Sequence, residues 1–185
     1  MSCVVCTTLD MNRRGNMKRF IKGILLMGIL LILLIGCTSE KEDKTIDNLI
    51  NKLISAKTYE NITSNDDADK FIEESKAIFG EYLTDDAFDT LMADRIPYFY
   101  YTVINKNGIK DTTDIKIVKS KEIPNDTYTH YEYEVSYKLN AEDKSIDMTD
   151  YMVFKVMKDN SSIIDEVHVS DKTSSIFSEF KSTAQ

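Results

Sequence analysis

Apolar positions in this chain first recur at helical spacing and later alternate with polar ones, and the change of rhythm falls near the middle. Ile46, Leu49, Ile50, Leu53 and Ile54 lie on one side of a 3.6-residue repeat, which predicts an amphipathic helix. A second helix is expected after the capping oxygens of Asn65-Asp66-Asp67. It carries Phe71, Ile72, Ile78 and Phe79 and stops at a left-handed Gly80. Thr84 can cap a third, bearing Phe88, Leu91 and Met92. Leu83 and Phe88 sit where a hydrophobic staple belongs, and Pro97 is expected to end it.

Beyond Pro97 the pattern predicts strands. The aromatic and β-branched run Tyr98-Phe99-Tyr100-Tyr101-Thr102-Val103-Ile104 precedes the turn signal Asn107-Gly108. Ile115, Ile117 and Val118 mark a second strand. Tyr131, Tyr133, Val135, Tyr137 and Leu139 then alternate with His130, Glu132, Glu134, Ser136 and Lys138 along a third. Met152, Phe154 and Val156, the turn-forming Asp159-Asn160-Ser161-Ser162, and Ile163, Asp165, Val167 and Val169 together read as a hairpin. A short terminal helix carries Ile176, Phe177 and Phe180. Helices first and a meander of strands afterwards predict an α+β fold, with the helices laid on the sheet's apolar face.

Upstream of all this lies a different kind of segment. Lys18, Arg19 and Lys22 precede an apolar run from Ile24 to Ile35 that only Gly28 interrupts, which is the anatomy of a secretory signal peptide. Met17 to Gly36 spans 20 residues, inside the usual range of roughly 15–30, so Met17 reads as the true start. The run is shorter than the roughly 20 residues a spanning helix needs. Leu34-Ile35-Gly36-Cys37 resembles the lipobox of bacterial lipoproteins. The resemblance implies cleavage before Cys37, a diacylglyceryl group on its thiol, and a mature protein held on the outer face of the plasma membrane. Two acyl chains make such an anchor durable without a spanning helix. The polar stretch from Thr38 to Lys44 is expected to be a hydrated tether, which leaves residues 45–185 as the folded domain.

Charge narrows the partners. The chain has 23 basic and 31 acidic residues; without a leader that holds five basic residues and one acid, 18 and 30 remain, a net charge of −12. Such a surface repels nucleic-acid phosphates, so no nucleic-acid partner is expected. The cysteines, Cys3, Cys6 and Cys37, all precede the domain, which therefore has no disulfide. Cys3 and Cys6 lie ahead of Met17 and have no second pair to complete a metal site.

Candidate chemistry in the domain is sparse. His130 and His168 occupy polar strand positions and would need to meet beside Glu132 or Glu166 to hold a metal. Asn65 to Lys70 departs from a calcium loop, since Lys70 replaces its glycine and Lys76 its terminal glutamate. Asp85, Asp86 and Asp89 suit the positive end of a helix. No cofactor, metal or catalytic residue is expected.

The stretch from about Asp66 to Ser170 resembles the NTF2-like, cystatin-related superfamily. The run from Met152 to Ile164 is similar to that family's closing hairpin, without the Trp often found at the final strand. The resemblance implies a curved sheet forming a cone, with Tyr131, Tyr133, Tyr137 and Phe154 as its cavity lining. Such cones host several functions. The first is a protein-binding or assembly module, with conjugative transfer or secretion machines as the group that uses such domains outside the membrane; its partner is an unidentified protein or a second copy in a homodimer. The second is a ligand-binding or immunity lipoprotein that captures a toxic peptide or a small apolar molecule. The third is an isomerase- or hydrolase-type enzyme, in which an Asp or His would face tyrosines in the cone.

Overall fold

A computed structural model describes residues 41–63, 67–160 and 162–183, all within one compact unit, Lys41–Gln185. The signal-peptide and lipobox residues Leu34, Ile35, Gly36 and Cys37 lie outside the described residues.

The first helix, α1, covers residues 41–54. Its stripe of Ile46, Leu49, Ile50, Leu53 and Ile54 is fully buried, each side chain contributing about 2 kcal/mol relative to exposure. Residues 41–44, expected as tether, are already helical, and Glu42 is buried. The reason is positional: Glu42 falls one turn before Ile46 on the same face, so it continues the core stripe despite its charge. A short helix α2, Ala56–Tyr59, follows. Helix α3 is Ala68–Phe79, capped by Asp67, whose side chain accepts from the Lys70 amide; Asn65 and Asp66 lie outside the described residues. Gly80 ends α3 with φ −63°, in the right-handed region and not the left-handed one expected. A Cβ there would sit 2.7 Å from the Lys76 carbonyl oxygen, so close approach is what glycine permits at this position.

Helix α4, Asp85–Ala93, starts as anticipated: the Thr84 hydroxyl accepts from the Ala87 amide, and Leu83 and Phe88 are both buried. The next element overturns the expected strand at Tyr98–Ile104. Residues Ile96–Lys106 form helix α5, with Pro97 in its first turn. Proline ends a helix that approaches it but favours one that starts there, because its missing N–H has no helical acceptor at that position. Ile96, Tyr100, Val103 and Ile104 then meet the core at helical spacing, which overrides their strand propensity. Asn107-Gly108 accordingly closes a helix, with Gly108 at φ 63°, instead of turning a hairpin.

Four strands follow as an antiparallel meander in the order β1-β2-β3-β4: Asp111–Pro124, Tyr128–Asn140, Ser145–Met157 and Ile164–Val169. The sheet is open. β2 alternates buried and half-buried residues throughout, as its sequence pattern requires, and the expected β3–β4 hairpin is present. β1 is an edge strand, largely exposed, with irregularities at Thr113/Lys116 and Lys119/Lys121, and Asp114 adopts φ 55°. Bulges and lysines on an edge discourage pairing with other chains. Helix α6, Ser175–Thr183, places Phe177 and Phe180 against Phe99 of α5. The fold is thus α+β, with helices on one face of a four-stranded open sheet.

Candidate functional site

Three places gather polar groups. The deepest centres on Asp150. β3 sends Met148, Asp150, Met152, Phe154 and Val156 towards the core in strict alternation, so an acid occupies one position of an apolar stripe. Its Oδ2 accepts from Tyr100 Oη of α5 (2.7 Å) and Tyr137 Oη of β2 (2.6 Å), and its Oδ1 accepts from the Ile176 amide in the first turn of α6 (3.0 Å). Asp150, Tyr100 and Ile176 are all 0 % exposed. Burial pushes the Asp150 carboxyl above its ordinary value, against the opposing pull of these donors. Burial, and then the neighbouring carboxylate, holds both tyrosines well above theirs, so they stay protonated donors.

The second place joins α1 to the sheet. Tyr131 Oη donates to Glu42 Oε2, and Tyr133 Oη donates to Asp43 Oδ1 (3.0 Å). Lys119 of β1 reaches Asp43 (2.9 Å) and Glu122 (3.0 Å), and its ammonium lies 5.1 Å from the centre of the Tyr131 ring. Burial, then hydrogen bonding to these carboxylates, raises both tyrosine hydroxyls above their usual range.

The four residues expected to line a cavity are therefore brought together, on the core face of β2 and β3. Tyr131, Tyr133, Tyr137 and Phe154 are between 0 and 3 % exposed. Phe154 meets Tyr133 edge-on, with ring centres 5.7 Å apart. Each tyrosine hydroxyl is engaged by a carboxylate of the same chain. The helix α5, anticipated as a strand, adds the buried Tyr100 and Val103 to the same core.

The third place is a surface groove of about 530 Å³ at the C-terminal end of β4. Ile96, Val153, Val169 and Phe177 form its apolar part, and Asp94, His168 and Asp171 its polar part. His168 Nδ1 lies 3.6 Å from Asp94 Oδ2. The two histidines do not meet: His130 pairs with Lys155 and His168 with Val153, on opposite sides of β3. Among the described residues, no group of three or more His, Cys, Asp and Glu converges as a metal set would.

Sequence reasoning missed Asp150, Glu42 and Asp43. Two of them had a signal: Asp150 lies two residues before Met152 in the alternation, and Glu42 lies four before Ile46 in the helical repeat. The chain matches no family model, no curated protein and no solved structure.

Proposed function

We propose that this protein is an extracytoplasmic lipoprotein, held on the outer face of the plasma membrane by a lipid on Cys37, whose NTF2-like, cystatin-related domain binds or assembles with another protein. Support for the address comes from Leu34-Ile35-Gly36-Cys37 behind a basic and then apolar leader. No helix among the described residues is long and apolar enough to cross a membrane. Support for binding over catalysis comes from one observation: the hydroxyls of the tyrosine-lined face are all taken up by Glu42, Asp43 and Asp150. A general acid or base must reach its substrate within hydrogen-bond distance, and Asp150, at 0 % exposure, is enclosed on every side. An isomerase- or hydrolase-type reading would need that centre open.

The first helix begins by residue 41, so four Cα–Cα steps separate it from Cys37, at most about 14 Å of extended chain. A lipid there would keep the domain close to the bilayer, where a membrane-embedded machine such as a conjugative transfer or secretion apparatus would present its extracytoplasmic parts. The test is metabolic labelling with a fatty acid, followed by crosslinking in native membranes. The wild-type protein takes up label and yields one stoichiometric crosslinked partner. Cys37→Ser loses the label, the membrane retention and the partner together. Absence of label from the wild type overturns the address, and a labelled protein with no stoichiometric partner overturns the assembly role.

A further inference from the structure

The groove at the end of β4 has the size of a small-molecule site, about 530 Å³ against a usual range of roughly 300–1,000 Å³. Its floor is apolar, with Ile96 and Val169 buried and Val153 and Phe177 half-buried. Its wall holds two carboxylates, and neither is hydrogen-bonded to a cation. The Asp171 side chain has no hydrogen-bond or ion-pair partner among the described residues, and Asp94 has only His168, at a distance too long for a hydrogen bond. Arg95 and Lys172, next to them in sequence, do not line the groove.

This combination selects an occupant by charge. An anion meets two carboxylates in a domain, residues 41–185, of net charge −11 and is repelled. A neutral apolar molecule covers the floor but takes water from the carboxylates without replacing its hydrogen bonds. An ammonium group on an apolar body satisfies both halves, since the head offers its charge to Asp94 and Asp171 while the body displaces water from the half-buried Val153 and Phe177 side chains. The second groove lacks this pairing. Its volume is about 410 Å³, and it is lined by Asn48, Asn51, Lys52 and Lys57 among others, with no carboxylate. We infer that the β4 groove binds a small organic cation, an amine joined to an apolar or aromatic body. This goes beyond the protein-binding role and does not depend on it or on the lipid anchor.

Three probes that share one body isolate the charge: 4-phenylbutylamine, 4-phenylbutanol and 4-phenylbutanoate. Each is titrated into the full-length protein in non-ionic detergent micelles while backbone amide NMR shifts are followed. The amine moves the amides of residues 94–96, 168–171 and Phe177, leaves residues 48–61 unmoved, and binds about ten-fold or more tighter than the alcohol; the carboxylate produces no shift at the groove. The Asp94→Asn/Asp171→Asn double variant changes two exposed side chains without changing their shape. It loses about ten-fold in amine affinity and keeps its affinity for the alcohol. The inference is overturned if the three probes bind alike, if the amine's shifts fall elsewhere, or if the double variant holds the amine as tightly as the wild type. The probe comparison needs no variant, so it decides the matter even if the double variant folds poorly.

Discussion

At the scale of single residues, Asp150 carries the largest consequence, because three buried donors from three different elements end on one carboxylate. Asp150→Ala takes away the shared acceptor of the Tyr100 and Tyr137 hydroxyls and the Ile176 amide; the two hydroxyls can then pair only with each other, so at least one of them and the amide are left without an acceptor. Each orphaned donor costs about 1–3 kcal/mol, so the expected loss, on the order of 4 kcal/mol, is a large part of a small domain's stability. Asp150→Asn keeps an acceptor oxygen and should lose about half as much in urea unfolding. The charge adds a pH signature. The folded carboxyl titrates above its unfolded value of 3.8, so between the two values the native state holds more protons than the unfolded one. Stability attributable to this group therefore falls as pH rises through that window, and it is greatest below the unfolded value. Asp150→Asn removes the slope. The gap in unfolding free energy between wild type and Asp150→Asn should narrow on going from pH 4 to pH 7; a gap that widens would mean that the tyrosine and amide donors outweigh burial. Little of this was legible beforehand. The alternation that places residue 150 inward runs on from Met152, but an acid there reads as the end of the strand unless its donors are known. Two of those donors come from helices distant in sequence.

Among the elements, α1 shows how a charged residue can belong to a hydrophobic stripe. The repeat Ile46, Leu49, Ile50, Leu53 was plain from sequence, and extending it one turn back reaches Glu42. The acidic, lysine-rich composition around it reads as tether instead. What the sequence pattern lacks is the partner: Tyr131 and Tyr133 present hydroxyls at the depth where the helix begins. Glu42→Ala removes the carboxylate acceptor of the buried Tyr131 hydroxyl, leaving it only the Thr129 side chain, and should destabilise the protein by about 1–3 kcal/mol. Amide hydrogen exchange would show faster exchange confined to the first turns of α1, with β2 and β3 unchanged. Exchange accelerated evenly through the sheet would show instead that this contact supports the whole fold. The helix α5 teaches the complementary lesson. Its aromatic and β-branched residues satisfy strand propensity, while its spacing of Ile96, Tyr100, Val103 and Ile104 satisfies a helix. Pro97 fits a helix start as well as a stop, and only tertiary burial decides between the readings.

For the molecule as a whole, charge is the property that sequence gives most directly and that the fold does not neutralise. Eighteen basic residues face 30 acidic ones from residue 37 onwards, and the ion pairs observed lie mostly at the surface: Lys121–Glu132, Lys138–Asp114 and Lys76–Asp85. Pairs of this kind contribute about 0–1 kcal/mol each. Salt weakens them, but it also screens the repulsion among the surplus carboxylates, and the two effects oppose each other. Repulsion should win, because it sums over many pairs at distances comparable with the Debye length of about 10 Å at 0.1 M salt, whereas the attractive pairs are few and already solvated. Raising sodium chloride from about 0.02 to about 0.5 M should therefore raise the melting temperature by a few degrees, the change expected of about 1 kcal/mol in a domain of this size. Chloride is the right choice, since sulfate strengthens apolar burial by exclusion from the surface and would raise the melting temperature whatever the charge. A melting temperature that stays level or falls in chloride would mean that the lysines bridging β1, β2 and α1, Lys119 foremost, hold the acidic surface together more strongly than its net charge drives it apart.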